Sequence, residues 1–140
     1  MEAKLLGIGE RNDGVLAVLQ QLRSQYTFDS LHQQIEKQQA AGYQIVYAHK
    51  EGEVVGVAGF VMGEKLAWGN HIYIDDLVTS EHCRNTGVGT FLLQWFKRFA
   101  KQNAVQQIHL DSGVQRFAAH RFYLREGFNI ASHHFSMLDV

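Results

Sequence analysis

The sequence predicts one mixed α/β or α+β domain, spanning residues 1–140, in which helices pack on a sheet. Helix-forming and strand-forming patterns alternate along the chain, and elements in such an order pack as layers around one core. A chain of 140 residues is long enough for one such core and short for two. Its composition, 46% hydrophobic and 19% charged, is that of a globular protein.

The first third of the chain is predicted to contain a short strand and two helices. The strand covers residues 3–8, where small and apolar residues predominate. In the first helix the apolar residues recur every three or four positions, while the second has a thin apolar face and is expected to pack lightly. Both helices begin at residues that cap well: Asn12 or Asp13 for the first, and Asp29 or Ser30 for the second, which extends through Gln39.

A β-hairpin and a further strand follow, because β-branched and aromatic residues dominate residues 43–79. The hairpin joins Tyr43–His49 to Glu53–Met62 through the turn residues Lys50-Glu51-Gly52. The further strand is His71–Thr79. Alternation along that strand would place Ile72, Ile74, Asp76 and Val78 on one face and Tyr73, Asp75 and Leu77 on the other, unless a bulge intervenes.

The second half of the chain contains the strongest helical pattern. Apolar residues recur there at helical spacing and form a wide stripe: Val88, Phe91, Leu92, Trp95, Phe96 and Phe99. Ile108 and Leu110 then indicate a strand. Val114–Glu126 is predicted as a last helix that Gly127 ends. Phe135–Leu138 is predicted as a closing strand.

The start of the long helix has the features of an anion site. The first N–H groups of a helix have no partner within it, and the helix dipole places partial positive charge there. Gly87 and Gly89 lack the Cβ atoms that would hold a phosphate away from the backbone, and Arg84 can pair with phosphate oxygens. A Walker-type loop would need a lysine where Thr90 stands. A dinucleotide-binding loop would need a small residue at Leu92.

Two segments resemble motifs of one known family. Arg84-x-x-Gly87-x-Gly89, preceded by Ile74–Thr79, resembles the acyl-CoA-binding motif of the GNAT superfamily of N-acetyltransferases. Ala119–Phe128 is similar to the family's Ala-x-x-Phe-Tyr-x-x-x-Gly-Phe ending. The resemblance extends from about Ile72 to Phe128. It departs from the family at Arg116, where an asparagine often holds the pantetheine arm; Arg116 either reaches a phosphate or points to solvent.

The resemblance implies a mostly antiparallel sheet flanked by helices, with a splayed central strand pair that binds acyl-CoA. The residues that it implies for cofactor binding are Leu77, Val78, Thr79, Arg84, Asn85, Thr86, Gly87, Val88, Gly89, Thr90, Arg116 and Tyr123. It also implies direct attack of an amine on the acetyl thioester of acetyl-CoA, with the Val78 N–H polarising the carbonyl. Tyr123 matches the family's general acid. Asp75 aligns with a substrate-facing glutamate of diamine-acetylating relatives, and it would anchor the ammonium or act as the base.

Acetyl transfer from acetyl-CoA to a primary amine of a small molecule is therefore the expected function. Two alternatives remain open at this point. One is a sensor module that binds acyl-CoA without catalysis, which a phenylalanine in place of Tyr123 would have favoured. The other is an acetyltransferase that modifies the amino groups of proteins.

Charge and composition limit the expected partners and location. The net charge of −1 provides no field that would attract nucleic acid or an acidic membrane. No segment has signal-peptide character or bilayer-spanning length, and the single cysteine, Cys83, is typical of a reducing compartment, so we expect a cytoplasmic protein. The eight histidines lack metal-ligand spacing, and no metal is expected. The resemblance adds a possible homodimer.

Overall fold

A five-stranded sheet is the centre of the fold in the computed structural model of the protein, which describes residues 1–140. The chain divides into two compact units, residues 1–109 and 110–140, and the single domain predicted over 1–140 stays a prediction. In chain order the elements are β1 (Glu2–Leu5), α1 (Asp13–Leu22), α2 (Phe28–Ala40), β2 (Gln44–Lys50), β3 (Glu53–Lys65), β4 (Gly69–Thr79), α3 (Val88–Gln102), β5 (Gln107–Leu110) and α4 (Phe117–Arg125).

The sheet has the strand order β1-β2-β3-β4-β5. The pairs β1–β2, β2–β3 and β3–β4 are all antiparallel, which confirms the mixed, mostly antiparallel fold that the sequence predicts. The chain enters β5 beside the start of β4, where the Gln106 N–H donates to the Asn70 carbonyl at 3.1 Å. None of the helices has the length and apolar composition needed to span a bilayer.

The two N-terminal helices begin at side-chain caps. Asn12 caps α1 as predicted, since its side chain accepts from the Val15 N–H at 3.1 Å. Helix α2 begins earlier in the chain than predicted. Its capping residue is Thr27, and Ser30 completes a capping box with it. Leu31 and Ile35 of α2 are buried, so its thin apolar face packs closely instead of lightly.

Helix α3 covers the opposite face of the sheet from α1 and α2, and its predicted apolar stripe packs there. Phe60 of β3 lies edge-on to Phe96 with ring centroids 5.0 Å apart, and it also contacts Trp95 and Phe99. Edge-to-face pairs of this kind contribute about 0.5–1.5 kcal/mol each beyond the area that they bury. The aromatic contacts therefore fix the helix that carries the predicted anion site.

A β-bulge interrupts the ladder between β3 and β4. Phe60 is opposite Ile74 and Gly59 is opposite Asp76, so Asp75 is an extra residue on β4. Ile74 consequently shares the α3 face with Phe60, while Asp76 lies on the α1–α2 face. Ile74 and Asp76 therefore point to opposite faces, in contrast to the shared face that unbroken alternation predicts.

The second unit contains one helix and no strand of its own. Helix α4 begins at Phe117, three residues later than predicted, and Gly127 follows its end with a φ of 102° that glycine adopts readily. The predicted closing strand Phe135–Leu138 is wrong: residues 128–140 form no helix or strand. A strand needs a hydrogen-bonded neighbour, and this segment has none, so Phe135 and Leu138 stay exposed.

The start of α3 rests directly on Gly56 of β3, which leads to a test of how the helix is positioned. A Cβ at residue 56 would lie 2.4 Å from Val88 Cγ1, which is too close for any real contact. We expect Gly56→Ala to lower the free energy of unfolding by about 1–3 kcal/mol through overpacking, as measured by urea denaturation.

The control is Gly63→Ala in the same strand, where the added Cβ would meet its nearest atom at 3.4 Å, an ordinary contact. If both variants unfolded at the same urea concentration as the unsubstituted protein, the close packing of α3 on Gly56 would be contradicted.

Candidate functional site

The N-terminus of α3 presents unpaired backbone donors. Gly87 caps the helix with a left-handed φ of 87°, and no side chain bonds to the helix start. The first helical hydrogen bond runs from the Phe91 N–H to the Gly87 carbonyl at 2.9 Å. The N–H groups of Val88, Gly89 and Thr90 therefore have no partner in the protein. Such a helix start binds an anion, since both its donors and its dipole favour negative charge.

The loop before α3 is open to solvent and adds a formal positive charge. Arg84, Asn85 and Thr86 are exposed, and Arg84 forms no ion pair in the protein. Asn85 adopts a φ of 61°, which asparagine tolerates better than most residues. The Thr86 hydroxyl donates to the Cys83 carbonyl and holds the loop in its turn. The structure thus brings the predicted segment Arg84–Thr90 together at one helix end.

The end of β4 exposes a backbone edge. β5 has four residues and starts beside Asn70, so it is too short to accompany the eleven-residue β4 to its end at Thr79. The Ser80 N–H donates to the Val55 carbonyl at 2.8 Å, and bonded pairs alternate along an antiparallel ladder. Val78 therefore directs its N–H towards β3, and the N–H groups of Leu77 and Thr79 point to the free edge. The carbonyl-polarising role expected for the Val78 N–H does not fit this register.

A network of three side chains holds the bulge of β4. The Arg23 Nε donates to Asp76 Oδ1 at 2.8 Å, and its Nη2 donates to the Asp75 carbonyl oxygen at 3.1 Å. The Tyr43 hydroxyl donates to Asp76 Oδ2 at 2.6 Å. Burial, followed by the charge of Asp76, raises the pKa of Tyr43 well above its usual range, so the phenol stays a donor. Both oxygens of the Asp76 carboxylate are consequently engaged.

Gly59 makes this network possible, because the Tyr43 ring lies directly over it. A Cβ on Gly59 would stand 1.6 Å from the Tyr43 hydroxyl oxygen. Arg23, Tyr43 and Gly59 are site residues that the sequence patterns did not predict. The one available signal was a glycine inside a strand, which often marks the close approach of another group.

A cavity of about 300 Å³ opens beside the bulge, between α1, α2 and β4. The bulge places both aspartates on its wall, in contrast to the opposite faces that simple alternation predicts. Desolvation, followed by the charge of Asp76, raises the pKa of the Asp75 carboxyl above its ordinary value, although its side chain remains partly open to solvent. The polar and charged residues of the lining are Arg23, Gln25, Tyr26, Gln34, Gln38, Tyr43, Asp75 and Asp76.

The remaining predicted residues, Arg116 and Tyr123, lie in the second unit. The ring of Tyr123 is half-buried, with the centroids of Phe122 and Phe128 at 5.4 and 5.8 Å, and its hydroxyl has no hydrogen-bond partner. Burial raises the pKa of Tyr123, and the positive charge of Arg116 opposes that shift. Arg116 itself is exposed at the start of α4.

Comparisons with known proteins relate these features to one family. The model of the acetyltransferase (GNAT) family matches residues 15–128. The uncharacterized N-acetyltransferase YhdJ of Bacillus subtilis (strain 168) is 30% identical over 120 residues, which cover 84% of each chain. The aminoalkylphosphonate N-acetyltransferase of Salmonella typhimurium is 38% identical over 82 residues, or 58% of this chain and 53% of that one.

Solved structures share the fold. The ribosomal-protein-alanine N-acetyltransferase from Brucella melitensis biovar Abortus 2308 superposes with a TM-score of 0.83, covering 98% of this chain and 99% of that one. Its sequence is 13% identical to the present one, so this likeness concerns the fold alone.

Proposed function

The chain belongs to the acetyltransferase (GNAT) family, and from that premise we propose that it moves an acetyl group from acetyl-CoA to a primary amine of a small molecule. The amine attacks the thioester directly, within a ternary complex. The observation that carries the proposal is the start of α3, where unpaired N–H groups follow a left-handed glycine beside an unpaired arginine. The homodimer and the cytoplasmic location expected from the sequence are part of the same proposal.

The pyrophosphate of acetyl-CoA binds, in this proposal, at the segment Arg84–Thr90. The N–H groups of Val88, Gly89 and Thr90 donate to its oxygens, and Arg84 supplies charge. Hydrogen bonds to a charged group contribute about 1.5–3 kcal/mol each, so a few of them account for a firm grip. The pantetheine arm runs along the free edge of β4 at Leu77–Thr79, and Arg116 reaches a phosphate.

The chemical step forms a C–N bond and breaks the C–S bond of the thioester. As the amine nitrogen attacks, negative charge develops on the carbonyl oxygen. An N–H of Leu77 or Thr79 polarises that oxygen, because the register points these groups, and not Val78, to the free edge. A donor aimed at developing charge contributes about 2.7–4 kcal/mol to transition-state stabilisation. Tyr123 then gives its proton to the departing thiolate.

Asp75 anchors the substrate ammonium in this proposal. Its carboxylate lines the cavity and has no partner of its own, whereas Asp76 is paired twice. A lysine-like ammonium with a pKa of about 10.4 costs roughly 4–5 kcal/mol to deprotonate at pH 7, and a carboxylate is a weak base for that task. Anchoring therefore fits Asp75 better than proton abstraction, and the ammonium releases its proton to bulk solvent, at that cost, before the neutral amine attacks.

The size of the cavity favours a small-molecule acceptor over a protein. A volume of about 300 Å³ lies at the lower end of the range for ligand pockets, which is about 300–1,000 Å³. The name of the Salmonella typhimurium relative, an aminoalkylphosphonate N-acetyltransferase, also points to a small amine.

Release of free thiol from acetyl-CoA tests the function. We expect purified protein to bind CoA, measured by calorimetry, and to release thiol only when a primary amine is present, with the N-acetylated amine found by mass spectrometry. Peptides with free amino termini or lysines serve as the comparison, and we expect slower turnover of these. Firm CoA binding without turnover of any amine would instead support the sensor, and faster turnover of peptides would support protein acetylation.

A further inference from the structure

The wall of the cavity beside the bulge carries one carboxylate that is not neutralised. The Asp76 carboxylate accepts from Arg23 at 2.8 Å and from Tyr43 at 2.6 Å, so both of its oxygens are occupied. The Nη2 of Arg23 donates to the backbone carbonyl oxygen of Asp75 at 3.1 Å. The side-chain carboxylate of Asp75 has no hydrogen bond and no ion pair. Two negative charges and one positive charge leave the cavity with a net charge of −1.

This balance has consequences for any molecule that enters. One ammonium neutralises the wall by pairing with Asp75. A second ammonium would find its only remaining carboxylate already bound to Arg23, and would be repelled by that guanidinium. An anionic group would face two carboxylates and a single guanidinium, whose positive charge is already paired with Asp76. Charges that enter without a partner are costly in a partly desolvated site.

The rest of the cavity lining consists of uncharged side chains. Some of them can form hydrogen bonds with a ligand, and others are apolar. Gln34 Nε2 donates to Gln38 Oε1 at 2.9 Å, which leaves the carbonyl oxygen of Gln34 and the amide nitrogen of Gln38 available. Leu19, Leu31 and Ile35, which are buried, supply the apolar part of the lining. A hydroxyl group can both donate to and accept from such amides without bringing a charge with it.

From this arrangement we infer that the acceptor is a small monocationic amine whose body carries hydroxyl groups, such as an amino alcohol or an amino sugar. The paired state of Asp76 and Arg23 disfavours diamines and zwitterions such as aminoalkylphosphonates as acceptors. The inference rests on the proposed function and names the substrate class of the same site. Two residues determine which substrates are preferred. Asp75 binds the ammonium of the substrate, and Arg23 pairs with Asp76 and so keeps this second carboxylate from binding the substrate.

A matched series of substrates tests the inference on the unsubstituted protein. 3-Aminopropanol, 1,3-diaminopropane and 3-aminopropylphosphonate share one aminopropyl chain and carry at its far end a neutral, a cationic and an anionic group, respectively. We expect kcat/KM, measured by thiol release from acetyl-CoA, to be at least about tenfold higher for the alcohol than for the other two. Equal values, or a higher value for the diamine or the phosphonate, would overturn the inference and leave the proposed function standing. No turnover of any amine would end both.

If the charge balance of the cavity causes the substrate preference, Arg23→Gln should shift that preference towards the diamine. The substitution frees Asp76, so that two carboxylates become available, and the ratio of kcat/KM for the diamine over that for the alcohol should rise at least about tenfold. Arg11→Gln is the matched control, because Arg11 is equally exposed and forms its ion pairs with Asp13 and Asp29 at the surface. An unchanged ratio in folded Arg23→Gln would contradict the inference.

Asp75→Asn is a second variant, and it tests the anchoring role of Asp75 even if Arg23→Gln does not fold. We expect kcat/KM for 3-aminopropanol to fall at least about tenfold while the KM for acetyl-CoA stays the same, since only the ammonium loses its partner. An Asp75→Asn variant that keeps the kcat/KM of the unsubstituted protein would overturn the role of Asp75 as the anchor.

Discussion

Replacing Tyr123 with phenylalanine is expected to lower kcat for acetyl transfer about 100- to 10,000-fold, the usual range for removal of a general acid. Protonation of the departing thiolate prevents its return to the carbonyl carbon, and the phenol is the group that we propose for this step. The KM for acetyl-CoA should change little, because the hydroxyl acts on the transition state and the ring is retained. Steady-state thiol release gives both constants.

The pH dependence of the same variant provides a readout that loss of packing would not produce. Burial raises the pKa of Tyr123 above its ordinary value of 10.0. The phenol is therefore fully protonated at neutral pH and loses its proton only in alkaline solution. In the unsubstituted protein kcat should therefore decline above pH 10, and Tyr123→Phe should lack this decline. Tyr47→Phe is the control, since Tyr47 is a buried tyrosine of β2 to which the proposal gives no part in the proton transfer. If Tyr123→Phe kept kcat within about threefold of the original value, tyrosine would not be the acid.

Local signals account for what could be predicted of the fold and of the phosphate site. The capping of α1, the turn of the hairpin and the glycine that follows α4 depend on residues a few positions apart, so the chain sequence shows them directly. The same holds for Arg84–Thr90, where the proposed anion site is made of consecutive backbone groups at a helix start. The family resemblance covers this segment as well, and the two lines of reasoning agree.

Long-range contacts account for what could not be predicted. Arg23 and Asp76 are 53 positions apart, and Tyr43 is 33 positions from the same aspartate, so no spacing rule joins them. The bulge at Asp75 depends on the pairing register with β3, which a strand pattern does not reveal. Its consequence for function is large, because it turns two adjacent aspartates to one cavity and leaves only one of them free.

The other large effect is expected from Gly87→Val, which should weaken CoA binding at least about 100-fold. Valine at a φ of 87° is strained by about 1–3 kcal/mol, and the loop can relieve that strain only by turning the adjoining N–H groups. Each lost hydrogen bond to a phosphate costs about 1.5–3 kcal/mol. Turning the loop removes at least two such donors, the N–H groups of Val88 and Gly89, and a loss on the order of 3 kcal/mol or above corresponds to about 100-fold or more in the dissociation constant. Calorimetric titration with CoA measures it.

Gly52→Val is the control, because it introduces the same backbone strain without changing the proposed phosphate site. Gly52 has a φ of 79° in the β2–β3 turn, and, as at Gly87, an added Cβ would meet nothing within 4 Å. Both variants should therefore lose similar stability to urea, while only Gly87→Val loses affinity for CoA. Should the two variants bind CoA equally well, the donors at the start of α3 would not hold the pyrophosphate. The acetyl-transfer proposal would then lose its principal support, because the roles of Tyr123 and Asp75 both presuppose a thioester delivered from that helix end.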